Sequence, residues 1–476
     1  MNVLLVHPQI NVIQSYSRGL GYIASVLKEG GHTVDYIMIE DLNYTAKLSQ
    51  VIKNHKPEII GFSLYSCQMN YIGPIIEDIK KYSDAFIVLG GIHPTVKPEC
   101  ILQISGADAI VRGEGEIALL ELADTLQKKE DIRHIKNFWF KSGKEIIKNE
   151  MRPLIDLNGL PFPDKDIVDY QLLLDQSGGV NRFTFNRGCP FDCPYCSNKV
   201  LRDVYKKEIS YCRSLNPKRA IEEIASDAAK FKFEKIFFDD DIITLDKKWF
   251  YEFFTLYKKY FKYPFYCNVR VGTIDANMVR LLKEAGAKGV AIGIEHGNEE
   301  FRKNILRRNI TDKQIIDTLK LFEEHGIKDN YGQVMIGLPF ENKELFLDTV
   351  RLCRLVNISY FKYIFYPYPA TEFGELCEKN NWLPTQEYYM ERKQAVIDYP
   401  DFKKADIQLC YDLFTGLVKF KFFPLKLPWI PTGLLLKFYN FLLKMVIPVE
   451  SLLRRSLGRI KKYFICLIFK NGKITG

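Results

Sequence analysis

The chain has 476 residues, of which 47% are hydrophobic and 26% charged; these values are ordinary for globular proteins and exclude a disordered chain, a collagen and a coiled-coil rod. Eleven cysteines in a chain of this length also exclude a disulfide-rich secreted scaffold. The net charge of +9 comes from residues 411–476, where twelve Lys and Arg stand against Asp412 and Glu450, so the basic balance does not indicate a nucleic-acid-binding body.

The first 140 residues alternate short apolar runs with helix-like stretches. Strands are predicted at 3–6, 33–39, 59–65, 86–91 and 109–113. Strands that alternate with helices form right-handed βαβ units, so we expect an α/β fold with a doubly wound, Rossmann-like parallel sheet over residues 1–140. The opening MNVLLVHP is typical of a buried strand and lacks the basic start of a signal peptide. We therefore expect a cytoplasmic protein.

A proline-rich joint, LPFPD, lies within residues 141–178, which are predicted to be a linker. Six further strand-like runs follow, at 182–188, 234–241, 265–270, 289–297, 331–339 and 361–371. Six strand–helix pairs are too few for a closed eightfold barrel. Residues 179–400 are therefore expected to form a partial, open (β/α)6 TIM-like barrel, and residues 401–476 a basic, amphipathic helical segment.

The sharpest motif is a C-x3-C-x2-C loop that directly follows a predicted strand and contains Cys189, Cys193 and Cys196. Three thiolates at this spacing can hold three irons of a 4Fe-4S cluster and leave the fourth iron free for another ligand. Structural zinc is the main alternative, but zinc requires a fourth Cys or His nearby, and Cys212 shows no paired spacing. Three unrelated buried thiols are the remaining alternative.

This loop, with Tyr195 just before the third cysteine, resembles the radical S-adenosylmethionine superfamily over residues 180–375. The resemblance implies a 4Fe-4S cluster on the three cysteines, whose free iron binds S-adenosylmethionine. It implies that one electron from an external donor of the flavodoxin or ferredoxin type cleaves this cofactor to a 5′-deoxyadenosyl radical. It also implies cofactor contacts for the run MIGLP (335–339) and for Tyr195, Asp239, Asp240, Asp241, Arg270 and Glu295. Each of these residues has an alternative interpretation as an ordinary polar residue at a strand end, and His296 is interpreted as a structural neighbour of Glu295.

Residues 1–140 resemble the cobalamin-binding domain that often precedes this radical core. The resemblance rests on HPQ (7–9), SRGLG (17–21), GFSLYS (61–66), GGIHPT (90–95) and VRGEGE (111–116), mostly at carboxyl ends of predicted strands, where α/β sheets bind ligands. It implies cofactor contacts for Ser63, Gly90, Gly91, His93, Gly113 and Glu114. The D-x-H-x-x-G motif that supplies a histidine to cobalt is absent. The implied cobalamin would therefore bind without that histidine, and an empty or repurposed domain is the alternative.

The tail interleaves its positive charges with Phe, Leu, Ile, Trp and Tyr over residues 411–470. No run reaches the roughly 20 uncharged residues that span a bilayer, and the pattern is typical of helices at an anionic membrane surface. We therefore expect peripheral contact with the inner face of the membrane. A helical cap over the barrel and, less favoured, a nucleic-acid arm are the alternatives.

Three functions follow from these interpretations. The favoured one is a cobalamin-dependent radical methyltransferase acting on an unactivated centre of a small-molecule or lipid substrate. The second is radical cyclisation, carbon–carbon coupling or rearrangement without cobalamin. The third, a non-enzymatic cluster sensor, fits poorly because the polar strand ends suit a nucleotide cofactor.

Overall fold

The computed structural model describes residues 1–10, 14–143, 145–205, 211–356, 358–383, 393–421, 424–425 and 431–442. The first sheet contains β1 (Asn2–Pro8), β2 (Thr33–Ile39), β3 (Ile59–Ser63), β4 (Phe86–Gly90), β5 (Ala109–Val111), β6 (Phe138–Ser142) and β7 (Glu145–Lys148). Their order in the sheet is β2-β1-β3-β4-β5-β6-β7. The first five strands are parallel. The order of the strands along the sheet reverses between β1 and β3, and doubly wound sheets form their ligand crevice at such a point.

The helices of this domain cover both faces of the sheet. They are α1 (Arg18–Glu29), α2 (Thr45–His55), α3 (Met69–Lys80), the short α4 (Ile92–Val96) and α5 (Glu116–Lys128). Leu4 and Val6 of β1 point into a core shared with α2 and α3, whereas Val3 and Leu5 point into a core shared with α1 and α5. This alternation confirms the doubly wound α/β sheet.

The first sheet runs further than residue 140. Strands β6 and β7 form an antiparallel hairpin added to the edge at β5. Gly143, with φ +61, supplies the turn, and Phe138 and Phe140 are buried in the core. Residues 141–142 and 145–148, assigned to the linker in the sequence analysis, thus belong to this sheet.

The second sheet is open and fully parallel. It contains β8 (Val180–Phe183), β11 (Lys235–Phe238), β12 (Phe265–Val269), β13 (Ala287–Glu295), β14 (Tyr331–Ile336) and β15 (Ser359–Ile364), in the order β15-β14-β13-β12-β11-β8. A separate two-stranded ribbon pairs β9 (Asn186–Arg187) with β10 (Arg213–Ser214). Helices of this part are α6 (Tyr170–Gln176), α7 (Ser197–Val204), α8 (Pro217–Lys230), α9 (Lys247–Tyr260), α10 (Ala276–Ala285), α11 (Glu299–Asn304), α12 (Asp312–Glu324), α13 (Lys343–Val356), α14 (Glu372–Lys379) and α15 (Lys404–Lys419). The six strands confirm the partial barrel.

The run 182–188 is two strands rather than the single one expected. The buried carboxylate of Asp240 accepts hydrogen bonds from the backbone N–H of Phe185 (2.8 Å) and Asn186 (2.6 Å). These bonds replace the backbone hydrogen bonds that a neighbouring strand would supply. The chain can therefore leave β8 and turn into β9. The cysteine loop therefore starts from the ribbon above the barrel.

The C-terminal segment begins with a helix that packs on the barrel. Ile407, Cys410, Leu413, Phe414 and Leu417 of α15 are buried in the barrel core. A second helix, 432–442, buries Leu435, Leu436 and Tyr439. The rest of the predicted membrane segment, 422–423, 426–430 and 443–476, lies outside the described residues. Among the residues that the structure does describe, no helix is long and apolar enough to span a membrane.

Candidate cofactor site

The cysteine loop joins β9 to α7 and is folded by backbone hydrogen bonds. Cys196 N–H donates to the carbonyl of Cys193 (3.1 Å), and Cys196 caps α7. Gly188 has φ +96, and a Cβ there would lie 2.5 Å from the carbonyl oxygen of Tyr211. Arg202 of α7 donates to the Pro190 carbonyl (2.6 Å) and pairs with Asp192. These contacts fold the loop and hold it against α7.

Burial disfavours the charged form of two of the three thiols, those of Cys189 and Cys196. Burial raises the pKa of Cys189 to about 11 and that of Cys196 to about 12, so metal binding at neutral pH must release protons. In the part of the chain that the structure describes, no group of three His, Cys, Asp or Glu side chains converges on one metal ion. A 4Fe-4S cluster takes one thiolate per iron, whereas zinc needs four donors around one ion. Three cysteines in one loop match the three thiolates that such a cluster takes when one iron is left for another ligand.

Buried and half-buried polar side chains form a cluster beside Cys193. The side chains of Tyr195 and Arg270 both lie beside its thiol, and the Arg270 guanidinium stacks 3.7 Å above the centre of the Phe191 ring. Arg308 completes this cluster: it donates to the Gly293 carbonyl (2.6 Å). It also lies 3.4 Å from both Tyr195 Oη and Glu295 Oε1.

Arg308 was missed in the sequence analysis. It lies in the loop after α11, away from any strand end, within the charged run LRRN. The sequence does not reveal that this charge is buried, so no sequence pattern marks the residue. Its Nε is buried without a hydrogen-bond partner, which is an unusual state for a buried donor. The cluster contains two guanidinium groups, those of Arg270 and Arg308, and one carboxylate, that of Glu295. This small cluster therefore carries a net positive charge suited to an anionic group.

Glu295 has a strained backbone. Its φ is +65, a conformation that costs about 1–3 kcal/mol for a residue with a side chain. The pairing of β13 with β14 shifts register between Gly293 and Glu295. A Cβ on Gly293 would lie 2.5 Å from Glu295 Oε1, so the glycine makes room for this carboxylate beside Arg308.

The three aspartates after β11 have different environments. Asp239 is exposed and pairs with Arg182 (3.0 Å), whereas Asp240 is fully buried and binds the backbone of β9. Asp241 hydrogen-bonds the side chain of Asn198, and its charge acts on Cys189 and Cys196. Of the three, Asp241 is therefore the one near the cysteine loop.

His296 is fully buried behind Glu295. Its Nδ1 accepts a hydrogen bond from the Asn298 backbone (3.0 Å), and its Nε2 lies 3.4 Å from Glu341 Oε1. The other oxygen of Glu341 accepts from the backbone N–H of Gly337 (2.6 Å) and Leu338 (3.0 Å). Glu341 thus holds the run 335–339 that was predicted to contact the cofactor, and His296 lies behind it.

The predicted crevice of the first domain is held together by its own residues. A Cβ on Gly91 (φ +97) would lie 2.5 Å from Leu64 N, so this glycine allows two loops to touch. His93 is buried and contacts Ser66 Oγ (2.9 Å). Burial lowers its pKa to about 4, which keeps the imidazole neutral. Ser63 pairs with Gly90 at the same edge.

Four histidines of the first domain, none of them in a D-x-H-x-x-G motif, have partners within the protein. His93 contacts Ser66, as described, and His7 contacts Tyr36 Oη (2.8 Å). His32 lies beside Asp124 (3.0 Å), and His55 beside Asp35 (2.8 Å). Binding of cobalamin without a protein histidine stays a prediction.

Gly113 and Glu114 lie at the contact between the two domains rather than in an open crevice. Glu114 pairs with Arg187 (2.7 Å) and Arg213 (2.6 Å) of the ribbon. Gly113 (φ +69) lies against Tyr205, whose Oη would be 2.1 Å from a Cβ. These two residues therefore connect the first domain to the cysteine loop.

The chemistry of these donors fits the groups that the motifs imply. Three thiols in one loop fit a 4Fe-4S cluster, and the unpartnered Arg308 Nε beside Arg270 fits the carboxylate of S-adenosylmethionine. Ser66, His93 and Thr95 place buried hydroxyl and imidazole groups at the carboxyl edge of the first sheet. Such groups fit the polar periphery of a large cofactor. The individual roles of these residues stay predictions.

Two family models match the two domains. A model described as the Radical SAM superfamily matches residues 183–353, and one described as the B12 binding domain matches residues 14–123. A relative named an uncharacterized methyltransferase, from Pyrococcus horikoshii, is 29% identical over 387 residues, 80% of this chain and 82% of that protein. The anaerobic magnesium-protoporphyrin IX monomethyl ester cyclase of Rubrivivax gelatinosus is 27% identical over 412 residues, 82% of this chain and 72% of that protein.

A solved structure shares the fold of both domains. It is the radical S-adenosylmethionine methyltransferase TsrM from Kitasatospora setae, with cobalamin and a 4Fe-4S cluster bound. The TM-score is 0.67 at 18% identity, and the match covers 80% of this chain and 78% of that chain. The chain is thus an enzyme of the radical SAM superfamily with a B12-binding domain ahead of its radical core, and its cofactors are a 4Fe-4S cluster, S-adenosylmethionine and cobalamin.

Proposed function

We propose that this enzyme is a methyltransferase that uses cobalamin and radical chemistry to methylate an unactivated centre of a small-molecule or lipid substrate. One observation carries the proposal: buried ion pairs between Arg187 and the carboxylates of Glu114 and Glu116 join the cysteine loop to the B12-binding domain. Both cofactor sites thus belong to one packed unit. A relative named as a methyltransferase aligns over 80% of the chain, which supports the same reaction class.

The side chains of the site would bind and orient the cofactors. When bound, the cluster supplies the electron that cleaves S-adenosylmethionine, and cobalamin carries the methyl group. Cys189, Cys193 and Cys196 would hold three irons. Arg270 and Arg308 would orient a carboxylate, and the strained Glu295 would accept hydrogen bonds from ribose hydroxyls. Burial of Arg308 and Glu295 excludes water from these contacts, which strengthens them.

Turnover of methyl-labelled S-adenosylmethionine tests the proposal. The protein is purified without oxygen, supplied with cobalamin and reductant, and incubated with lipid and polar extracts in parallel. We expect label in one extract, together with S-adenosylhomocysteine and 5′-deoxyadenosine. Cys193→Ala should lose iron and 5′-deoxyadenosine but still bind cobalamin, because its B12-binding domain is intact. Turnover without S-adenosylhomocysteine or labelled product would contradict methyl transfer.

A second candidate is ring formation on the same scaffold. It is favoured by the 27% identity to a relative named as a cyclase. Cyclisation consumes no methyl group, so it predicts 5′-deoxyadenosine without S-adenosylhomocysteine. The labelled assay therefore separates the two candidates directly.

We also propose that helix 432–442 contacts an anionic membrane surface. Leu434, Phe438 and Phe441 are 61%, 54% and 62% exposed, and their spacing places them on one side of the helix. The residues from 411 onwards carry ten more positive than negative charges, which complements acidic headgroups. Flotation with vesicles of phosphatidylglycerol should carry the full chain, and Phe438→Ser with Phe441→Ser should abolish this binding. Equal binding to phosphatidylcholine vesicles would contradict the proposal.

We propose that a flavodoxin- or ferredoxin-type protein supplies the electron from outside. Cys189 and Cys196 are only half-buried, and a surface cavity of about 320 Å³ opens beside the loop, lined by Pro194, Cys196, Lys199 and Glu372 among others. We expect reduced flavodoxin to support formation of 5′-deoxyadenosine. Lys199→Glu should raise the flavodoxin concentration required, without changing the rate with dithionite. An equal loss with both reductants would contradict docking at this cavity.

A further inference from the structure

The loop between β5 and α5 holds both ends of the segment that carries the cysteines. Glu114 Oε1 accepts from Arg187 Nη1 (2.7 Å), two residues before Cys189. The backbone N–H of the same Glu114 donates to Tyr205 Oη (2.8 Å), at the end of α7. One residue of the B12-binding domain thus contacts the chain immediately before the cysteine loop and immediately after the helix that follows it.

The contact is a balanced set of four charges. Arg187 donates to both Glu114 and Glu116, each at 2.7 Å, and Arg213, its partner in the ribbon, donates to Glu114 at 2.6 Å. The carboxylate side chains are 12% and 5% exposed. Burial would raise the pKa of Glu114, but Arg213 and Arg187 lower it overall, so this carboxylate stays ionised near neutral pH. Arg213 also donates to the other oxygen of Glu114 (3.2 Å), and bidentate charge-assisted bonds fix orientation as well as distance.

The same loop is tied to the ligand crevice of its own domain. Gly113 N–H donates to Thr95 Oγ1 (2.9 Å). Thr95 lies on α4, the short helix that also carries His93, which contacts Ser66 (2.9 Å). Hydrogen bonds and one helix therefore run from the crevice through Gly113 and Glu114 to Arg187.

We infer that Glu114, Glu116, Arg187 and Arg213 are positioning residues that couple occupancy of the B12-binding crevice to order in the cysteine loop. Cluster assembly fixes the chain between Arg187 and Tyr205, and through Glu114 this fixes the loop that borders the crevice. Cobalamin binding has the reciprocal effect, since coupling between two binding sites is mutual. The inference rests on the proposed function only in taking cobalamin as the ligand of the crevice.

The test is a comparison of cobalamin affinity with and without the cluster. The dissociation constant of hydroxocobalamin is measured on the full chain before and after anaerobic reconstitution. We expect the cluster to tighten binding by about fivefold or more, a typical size for coupled sites. In the double variant Glu114→Gln with Glu116→Gln, the ratio should fall to about one when it is measured on protein whose iron content per chain has been matched to the wild-type value. As the reciprocal readout, cobalamin should slow iron loss to a chelator in the wild type but not in the variant.

Glu121→Gln is the matched control. Glu121 lies on α5, as Glu116 does, and pairs with Arg152 (2.6 Å) away from the ribbon, so this change should keep the ratio.

If the double variant does not fold, Glu116→Gln alone and Arg187→Lys should each give an intermediate ratio, because each weakens one of the paired contacts. A wild-type ratio of one, or a ratio that survives in the variants, overturns the inference. Absence of hydroxocobalamin binding in every form contradicts the proposed cobalamin chemistry as well, which distinguishes the two failures.

Discussion

The buried guanidinium of Arg308 holds Glu295 and Tyr195 beside the cysteine loop. Replacement by Gln would leave the Glu295 carboxylate without this cation, and breaking a buried pair costs about 3–5 kcal/mol. We expect Arg308→Gln to destabilise the protein by roughly 3 kcal/mol in urea denaturation. It should also weaken binding of S-adenosylmethionine about tenfold or more, since one lost charged hydrogen bond is worth that much.

The neighbouring residue provides the control for this prediction. Arg307 pairs with Glu372 at the surface, with side chains 48% and 36% exposed, and exposed pairs contribute at most about 1 kcal/mol. Arg307→Gln should therefore change both measurements little. Equal effects of the two substitutions would contradict a special role for Arg308.

Asp240 predicts a pH dependence of stability. Burial raises its pKa to about 7, above the value near 4 of an unfolded chain. Between these values the folded state binds the extra proton, so this residue makes the free energy of unfolding fall as pH rises from about 4 to 7, by up to roughly 1.4 kcal/mol per pH unit. Asp240→Asn keeps an oxygen acceptor for Phe185 and Asn186 and removes the titration. Urea denaturation at pH 5 and 7.5 should give a smaller difference for the variant; an unchanged difference would mean that Asp240 is not its source.

Site prediction from sequence succeeds or fails at single residues for physical reasons. The predicted residues Arg270 and Glu295 directly follow or end strands, where parallel sheets gather polar groups; their roles at the cofactor stay predictions. Glu114 was assigned to the cofactor because its motif is local, whereas its partners Arg187 and Arg213 come from another domain. Arg308 has a buried position that depends on packing across the barrel. No spacing rule encodes such contacts.

The cysteine loop depends on the conformation of one glycine at its start. An alanine at Gly188 would strain φ +96 and bring its Cβ 2.5 Å from a backbone oxygen. We expect Gly188→Ala to lower the iron retained per chain after reconstitution and to destabilise the protein by about 1–3 kcal/mol. Gly272 has φ +88 but no atom within 4 Å of an added Cβ. Gly272→Ala should thus cost only about 1 kcal/mol and keep full iron content; parity between the two variants would exclude the clash as the cause.

The strands of both sheets were predictable because buried parallel strands are continuous apolar runs. Runs such as VLLV and FIVLGG are too short for helices and lie between helical stretches. The break between β8 and β9 was not predictable, because it depends on hydrogen bonds from Asp240, over fifty residues away. The sequence of the β6–β7 hairpin, FWFKSGKEIIK with its turn at Gly143, does contain a local strand–turn–strand pattern. The proline-rich segment that follows it led to its assignment as part of a linker.

Across the whole molecule, buried ion pairs join the two domains. Arg18 of α1 donates to Glu223 of α8 at 2.7 Å, with side chains 15% and 2% exposed. Glu223→Gln leaves Arg18 buried without this counter-ion, at a cost of about 3–5 kcal/mol. We expect calorimetry of the variant to show a lower Tm and two separated transitions in place of one. Lys28→Gln removes a more exposed interdomain pair with Asp164 and should shift Tm little; if it acts as strongly as Glu223→Gln, burial is not what matters.

The shared charges between Glu114, Glu116, Arg187 and Arg213 also limit how such proteins can recombine. A chimera that exchanges residues 1–148 for the same domain of a relative would place foreign side chains against a fixed pair of arginines. Unless the donor brings two carboxylates at the matching positions, both guanidiniums lose their partners at the junction. The domains of this enzyme can therefore be exchanged only when the charges at their contact match. This is a chemical rule for engineering hybrids, and the modular fold alone would not suggest it.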